Sequence, residues 1–182
     1  MSKHGQLTSA VAKSITGEMN KRGFDVYYDH GDPSNPFVGT IPVSTEKELS
    51  SKNQISQLDI AVVGRDTNKN KVIALIEIEE TTDTPKALVG DVFTTLMGNS
   101  VHLPARNKIA EVGKWTTLIV LGKGARHADR IKQINKIVNI AKLDFGSENS
   151  QIGNIVIEAL SEIETLKDVL MEKIEEAIQR NT

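Results

Sequence analysis

Two apolar stretches, Ile60-Ala-Val-Val and Val72-Ile-Ala-Leu-Ile, flank a polar turn, Gly64-Arg-Asp-Thr-Asn-Lys-Asn-Lys. A strand that is apolar at every position has no face to offer water. Both stretches therefore belong in the middle of a sheet covered on its two sides. The polar link between them suits an antiparallel hairpin. Strands of this kind, interspersed with helices, define an α/β domain.

The neighbouring sequence supplies those helices. Leu7, Val11, Ile15 and Met19 recur every four residues, predicting a helix over 6–22 that Gly23 terminates. Phe24–Asp29 is short, aromatic and β-branched, and reads as a strand. Gln57–Val63 and Val72–Glu79 are the two central strands. Residues 31–54 include Gly31, Pro33, Pro36, Gly39 and Pro42, breakers at the density of a loop. Thr84 and Pro85 read as the N-cap and first position of a helix bearing Leu88, Val92, Phe93 and Leu96. Trp115–Leu121 is a strand, Ala125–Lys142 a helix, and Asn154–Leu160 the last strand. Ser161 and Glu164 have the spacing of a capping box. They open a final helix to about Gln179, striped with Ile163, Leu166, Leu170, Ile174 and Ala177. The expected order is α-β-β-β-α-β-α-β-α in a single domain over 1–182, with a core over 6–121 and a C-terminal β-α extension over 125–182.

At 182 residues the chain is long enough to bury a core without staples, which matters because it has no cysteine. That excludes disulfides and thiolate metal sites and suits a reducing cytoplasm. The first residues lack the apolar h-region of a signal peptide, and the apolar runs fall far short of a membrane span. A cytoplasmic protein with no membrane partner is expected. The net charge of −2 rules out a polycation. Residues 101–136, however, hold eight Lys and Arg against Glu111 and Asp129, a local basic surface compatible with DNA.

The chemistry gathers at one end of the hairpin. Glu77 and Glu79 are two residues apart and so share a face of their strand. Carboxylates ending an apolar buried strand need compensation, and a divalent cation is one form of it. A turn centred on Asn68 sets Asp59 opposite Glu77, each nine residues from the centre. Residues opposite one another in an antiparallel pair share a face, about 4.5–5.5 Å apart at Cα. Three converging carboxylates raise one another's pKa values and attract a cation. Their oxygen-only donor set selects Mg²⁺ or Mn²⁺.

Leu58-Asp59-Ile60-Ala61-Val62 followed by Ile76-Glu77-Ile78-Glu79 resembles the PD-(D/E)XK motif of the restriction-endonuclease-like nucleases. The resemblance implies an αβββαβ core with a mixed central sheet flanked by helices, matched here over residues 6–121. It implies Mg²⁺ or Mn²⁺ held by Asp59, Glu77 and the carbonyl of Ile78, and hydrolysis of DNA phosphodiesters. Restriction-type and structure-selective junction or flap enzymes both belong to that superfamily. A Glu on the first helix often faces such sites. Glu18 takes that place here, at about 20° from Val11 on the helical wheel. The chain departs from the pattern twice: Leu58 stands for the usual proline, and Glu79 for the motif lysine. Glu79 is then a second metal ligand or the orienter of the attacking water, and Lys86 an alternative source of the missing cation. The same substitution also fits a non-catalytic binding or assembly module that kept the fold.

Leu121-Gly122-Lys123-Gly124 has Gly-x-Gly without the third glycine of a nucleotide loop. A turn presenting Lys123, Arg126 and His127 to nucleic-acid phosphates is the alternative. The stripe of the last helix packs against the chain's own core or, as a secondary expectation, forms a homodimer contact.

Overall fold

The computed structural model describes residues 5–65, 70–79, 85–104, 108–123, 132, 133, 136, 152–160 and 165–181. Its elements are α1 (Gln6–Lys21), β1 (Phe24–Tyr28), β2 (Ile41–Ser44), β3 (Gln54–Leu58), β4 (Ile60–Gly64), β5 (Val72–Glu79), α2 (Pro85–Leu96), β6 (Ser100–Leu103), β7 (Lys108–Glu111), β8 (Thr117–Lys123), β9 (Asn154–Leu160) and α3 (Leu166–Gln179). The strands form two sheets. One has five strands in the order β1-β4-β5-β8-β9, and the other four in the order β3-β2-β6-β7.

The five-stranded sheet is mixed. β1, β4 and β5 pair antiparallel, whereas β5, β8 and β9 pair parallel. Its central strands are buried on both faces, as their unbroken apolar sequence demands. Ala61, Val63, Leu75, Leu118 and Val120 face Val92 and Leu96 of α2 and the inner side of the second sheet. Ile60, Val62, Ala74, Ile76 and Ile78 face Ile15 and Met19 of α1 and Leu170 and Ile174 of α3. The result is a three-layer α/β arrangement with a core on each side of one sheet.

α1 ends where sequence places its stop. Gly23 sits at φ 86°, and its N–H donates to the carbonyl of Asn20 at 3.2 Å. A left-handed residue just past a helix is nearly free for glycine and strained for others. Leu166, Leu170, Ile174 and Ala177 of the α3 stripe are all buried, the intramolecular packing that the stripe suggested, and Ile163 lies outside the described residues. Among the described residues no helix is long and apolar enough to cross a membrane.

Three expectations about the elements fail for local reasons. Residues 31–54 are not all loop, because β2 and the start of β3 lie within them. Pro42 hid β2, since proline normally argues against an inner strand. Gln57–Val63 is not one strand. The chain breaks at Asp59, leaving β3 in the second sheet and β4 in the first. β6 and β7 were not foreseen, being four residues each. The expected helix over 125–142 lies outside the described residues apart from Lys132, Gln133 and Lys136, which are helical and exposed. The Ser161–Glu164 box also lies outside them.

Candidate functional site

Side chains alternate along β5, so Glu77 and Glu79 continue the row of Leu75 on the α2 face. Both are partly buried, and Oε1 of Glu77 is shielded from solvent. Pairing at this end of the hairpin runs Ile60 with Ile76, Ala61 with Leu75 and Val62 with Ala74. That is the register of a turn centred on Asn68. The irregularity between Val62 and Val63 falls nearer the turn and leaves it intact. β4 and this pairing end at Ile60, and Asp59 follows as the residue between β3 and β4.

At Asp59 the chain leaves the central sheet, so β4 offers Ile78 no further backbone partner. The side chain of Asp59 fills that role: its Oδ2 accepts the Ile78 N–H at 2.8 Å. A buried N–H left without a partner would cost about 1–3 kcal/mol, which explains an acid at this break. The N–H and C=O of one strand residue point to the same side. The carbonyl of Ile78 therefore also faces Asp59.

A residue that sequence reasoning missed joins this row. β1 pairs with β4 through Tyr28 and Ile60, so Asp29 falls beside Asp59, and the Asp29 N–H donates to the Asp59 carbonyl at 2.9 Å. Asp29 and Asp59, each just outside its strand, are thus joined through the backbone, and Asp59 in turn meets β5 at Ile78. Oδ2 of Asp29 accepts from Nε2 of Gln57 at 2.7 Å, and its Oδ1 accepts the His30 N–H at 2.7 Å. His30 has φ 59°, uncommon for a residue with a side chain. Its Nε2 lies 3.8 Å from Oδ2 of Asp29. Asp29 was invisible beforehand because nothing in the sequence fixes which strand β1 joins. Just beyond, Ser34 donates its N–H and hydroxyl to Asp32, holding that carboxyl below its ordinary range. Burial pushes the Tyr28 phenol above its own.

On the other side of β5, Glu77 registers with Val120 and Glu79 with Gly122. Gly122 is thus a strand residue of β8, paired also with Ala159, and not the start of a nucleotide loop. Lys123 closes β8 but its side chain lies outside the described residues, as do Arg126 and His127. Lys86 belongs to the first turn of α2, and its side chain is likewise outside them.

Glu18 is not brought to the row. It lies on α1, against the opposite face of the sheet, and is exposed. Its carboxylate pairs with Arg22 at 3.0 Å, and Arg22 also reaches Glu175 of α3 at 2.9 Å. The turn at Gly23 sets this end of α1 beside Gly64, the far end of β4. A helical wheel gives direction around the axis but neither position along it nor the layer the helix joins.

Among the described residues, no group of three or more His, Asp or Glu side chains is disposed to hold a metal ion. The donor types and faces suit a hard cation, and Asp59, Glu77 and the Ile78 carbonyl share one corner. No protein-family model, curated protein or solved structure matches the chain.

Proposed function

We propose that this chain is a Mg²⁺- or Mn²⁺-dependent DNA endonuclease of the restriction-endonuclease-like kind, acting in the cytoplasm. One observation carries the reading: the carboxylate of Asp59 accepts the N–H of Ile78, between Glu77 and Glu79 on β5. The order α1, β1, β4, β5, α2, β8 supports it, being the αβββαβ order with β2–β3 and β6–β7 as insertions. Asp59, Glu77 and the Ile78 carbonyl would hold the ion, with Glu79 as a further ligand. When bound, the ion polarises a phosphoryl oxygen and lowers the pKa of a coordinated water. Where Glu79 is not itself a ligand, it or Lys86 would orient the attacking water and take its proton, and the ion would stabilise the charge left on the departing oxygen. Lys123, Arg126 and His127 contact the DNA backbone. A homodimer would present two sites to the two strands.

Supercoiled plasmid and a synthetic four-way junction, incubated with Mg²⁺ or Mn²⁺, test this directly. The expected result is cleavage that falls about a hundredfold or more in Glu77→Ala and Asp59→Ala, with DNA affinity largely kept. Preference for plasmid marks a restriction-type enzyme, and preference for the junction a structure-selective one. Unchanged turnover in both variants removes the assignment. A second reading is a non-catalytic module, favoured by the bond from the Ile78 N–H to Asp59, which gives that acid a structural task. No cleavage of any DNA and no Mn²⁺ binding by the wild-type chain would select it.

A further inference from the structure

Asp59 is the single residue between β3 and β4, so its place depends on two sheets at once. Before it, Leu58 is buried and paired with Ile41 in the second sheet. After it, Ile60 is buried and paired with Tyr28 and Ile76 in the first. Apolar burial anchors both flanks, but the hydrophobic effect has no direction and so does not aim the carboxylate between them. Hydrogen bonds do. Oδ2 of Asp59 accepts the Ile78 N–H at 2.8 Å, and its carbonyl accepts the Asp29 N–H at 2.9 Å.

Asp29 grips both sides of this break. Its backbone holds Asp59, and its Oδ2 accepts from Nε2 of Gln57, two residues earlier on β3, at 2.7 Å. Its Oδ1 accepts the His30 N–H at 2.7 Å, which fixes the bend where β1 ends. A short carboxylate suits that place, because it reaches the backbone of its own neighbours where the chain turns. The Asp29 side chain is only 13% exposed, so water competes poorly for these bonds. Both of its oxygens are engaged by protein donors, and the carboxylate acts on the acidic corner through Asp59.

We propose that Asp29 is a positioning residue: it clamps the break between β3 and β4 and so aims the Asp59 carboxylate at β5. The second sheet is then part of the site, since one jaw of the clamp, Gln57, belongs to β3. The consequence for cleavage rests on the endonuclease reading, whereas the clamp itself does not. Removing the Asp29 carboxylate frees Gln57 and the bend, and Asp59 loses its alignment with the Ile78 N–H. Asparagine acts differently. It keeps an acceptor for the His30 N–H and, once the Gln57 carboxamide turns over, donates Nδ2 to Oε1 of Gln57. Alanine and asparagine remove the same charge, so comparing them separates the clamp from a general attraction between the carboxylate and a cation.

Two readouts on the full chain test this. In Asp29→Ala, hydrogen-exchange protection of the Ile78 amide should fall about fivefold relative to Leu75 of the same strand. Cleavage of plasmid or junction DNA with Mn²⁺ should fall about tenfold, in kcat and not in KM, with Glu77→Ala as the inactive reference. Asp29→Asn should recover most of both losses. Equal losses in the two variants, an unchanged Ile78 amide in Asp29→Ala, or undiminished cleavage by that variant of an active chain overturns the proposal. If Asp29→Ala does not fold, Gln57→Ala removes the other jaw from an exposed position. Its Ile78 protection should then fall about threefold, and no fall overturns the proposal equally. A wild-type chain that cuts no DNA, while Ile78 responds as described, removes the endonuclease reading and upholds the positioning of Asp59.

Discussion

The two ends of the central sheet carry similar acids and handle them differently. At the Gly64 end, Asp25 is met by Nε of Arg65 at 2.7 Å, and the same guanidinium donates to the Asn20 side chain at 2.6 Å. Nearby, Arg22 joins Glu18 to Glu175. At the Asp59 end, the donors described for Asp29 and Asp59 are the N–H groups of His30 and Ile78 and the carboxamide of Gln57. The His30 ring adds a positive charge to Asp29 only when protonated. Neutral donors fix a carboxylate and favour its ionised form, but they bring no full charge. Arginines make the first end structural, and the second is where the proposed cation would bind.

The largest expected effect breaks the comparison at that point. Calorimetric titration with Mn²⁺ should show affinity falling about tenfold or more in Glu77→Gln and Asp59→Asn. Asp25→Asn, at the opposite end, should change it less than about twofold. Equal losses at both ends would mean that the ion responds to the general charge of the protein and not to the row.

The contrast also marks what sequence could reveal. The face shared by Glu77 and Glu79 follows from strand alternation alone, and the pairing of Ile60 with Ile76 from one assumed turn, so both were legible. The kink at Asp59 was not, because Gln57–Val63 reads as continuously strand-like. Only the presence of a second sheet pulls Leu58 one way and Ile60 the other. That second sheet was itself hidden by Pro42 and by strands too short to show a period. Asp29 depends on a pairing between β1 and β4 separated by the whole of β2 and β3. Glu18 failed in the opposite sense: its local periodicity was read correctly as helix, but local periodicity carries no layer.

A smaller effect sharpens what the Asp59 carboxylate does without an ion. Asp59→Ala strands the Ile78 N–H at the end of the ladder and should lower stability by about 1–3 kcal/mol. Asp59→Asn keeps an acceptor oxygen and should lose less. Urea midpoints of the two variants, measured with chelator present, separate this structural task from any ion. Equal stability of Asp59→Ala and wild type would show that the hydrogen bond contributes nothing, and would leave the acid at this break without a structural reason.

The smallest effects belong to the arginine end. Arg65 is 44% exposed and its partner Asp25 17%, so solvent screens the pair in part and Arg65→Ala should cost about 1 kcal/mol. Arg22 and both its glutamates are 40% exposed or more, and Arg22→Ala should cost less, about 0.5 kcal/mol. Raising salt from 0.05 to about 0.5 M should shrink the Arg22 loss more than the Arg65 loss, because screening acts most on exposed charges. Arg65 also donates to the Asn20 carbonyl and side chain, bonds to neutral acceptors that salt touches less. If the Arg22 loss proved the larger or salt-independent, the bridge between α1 and α3 would count as part of the core and not as a surface pair.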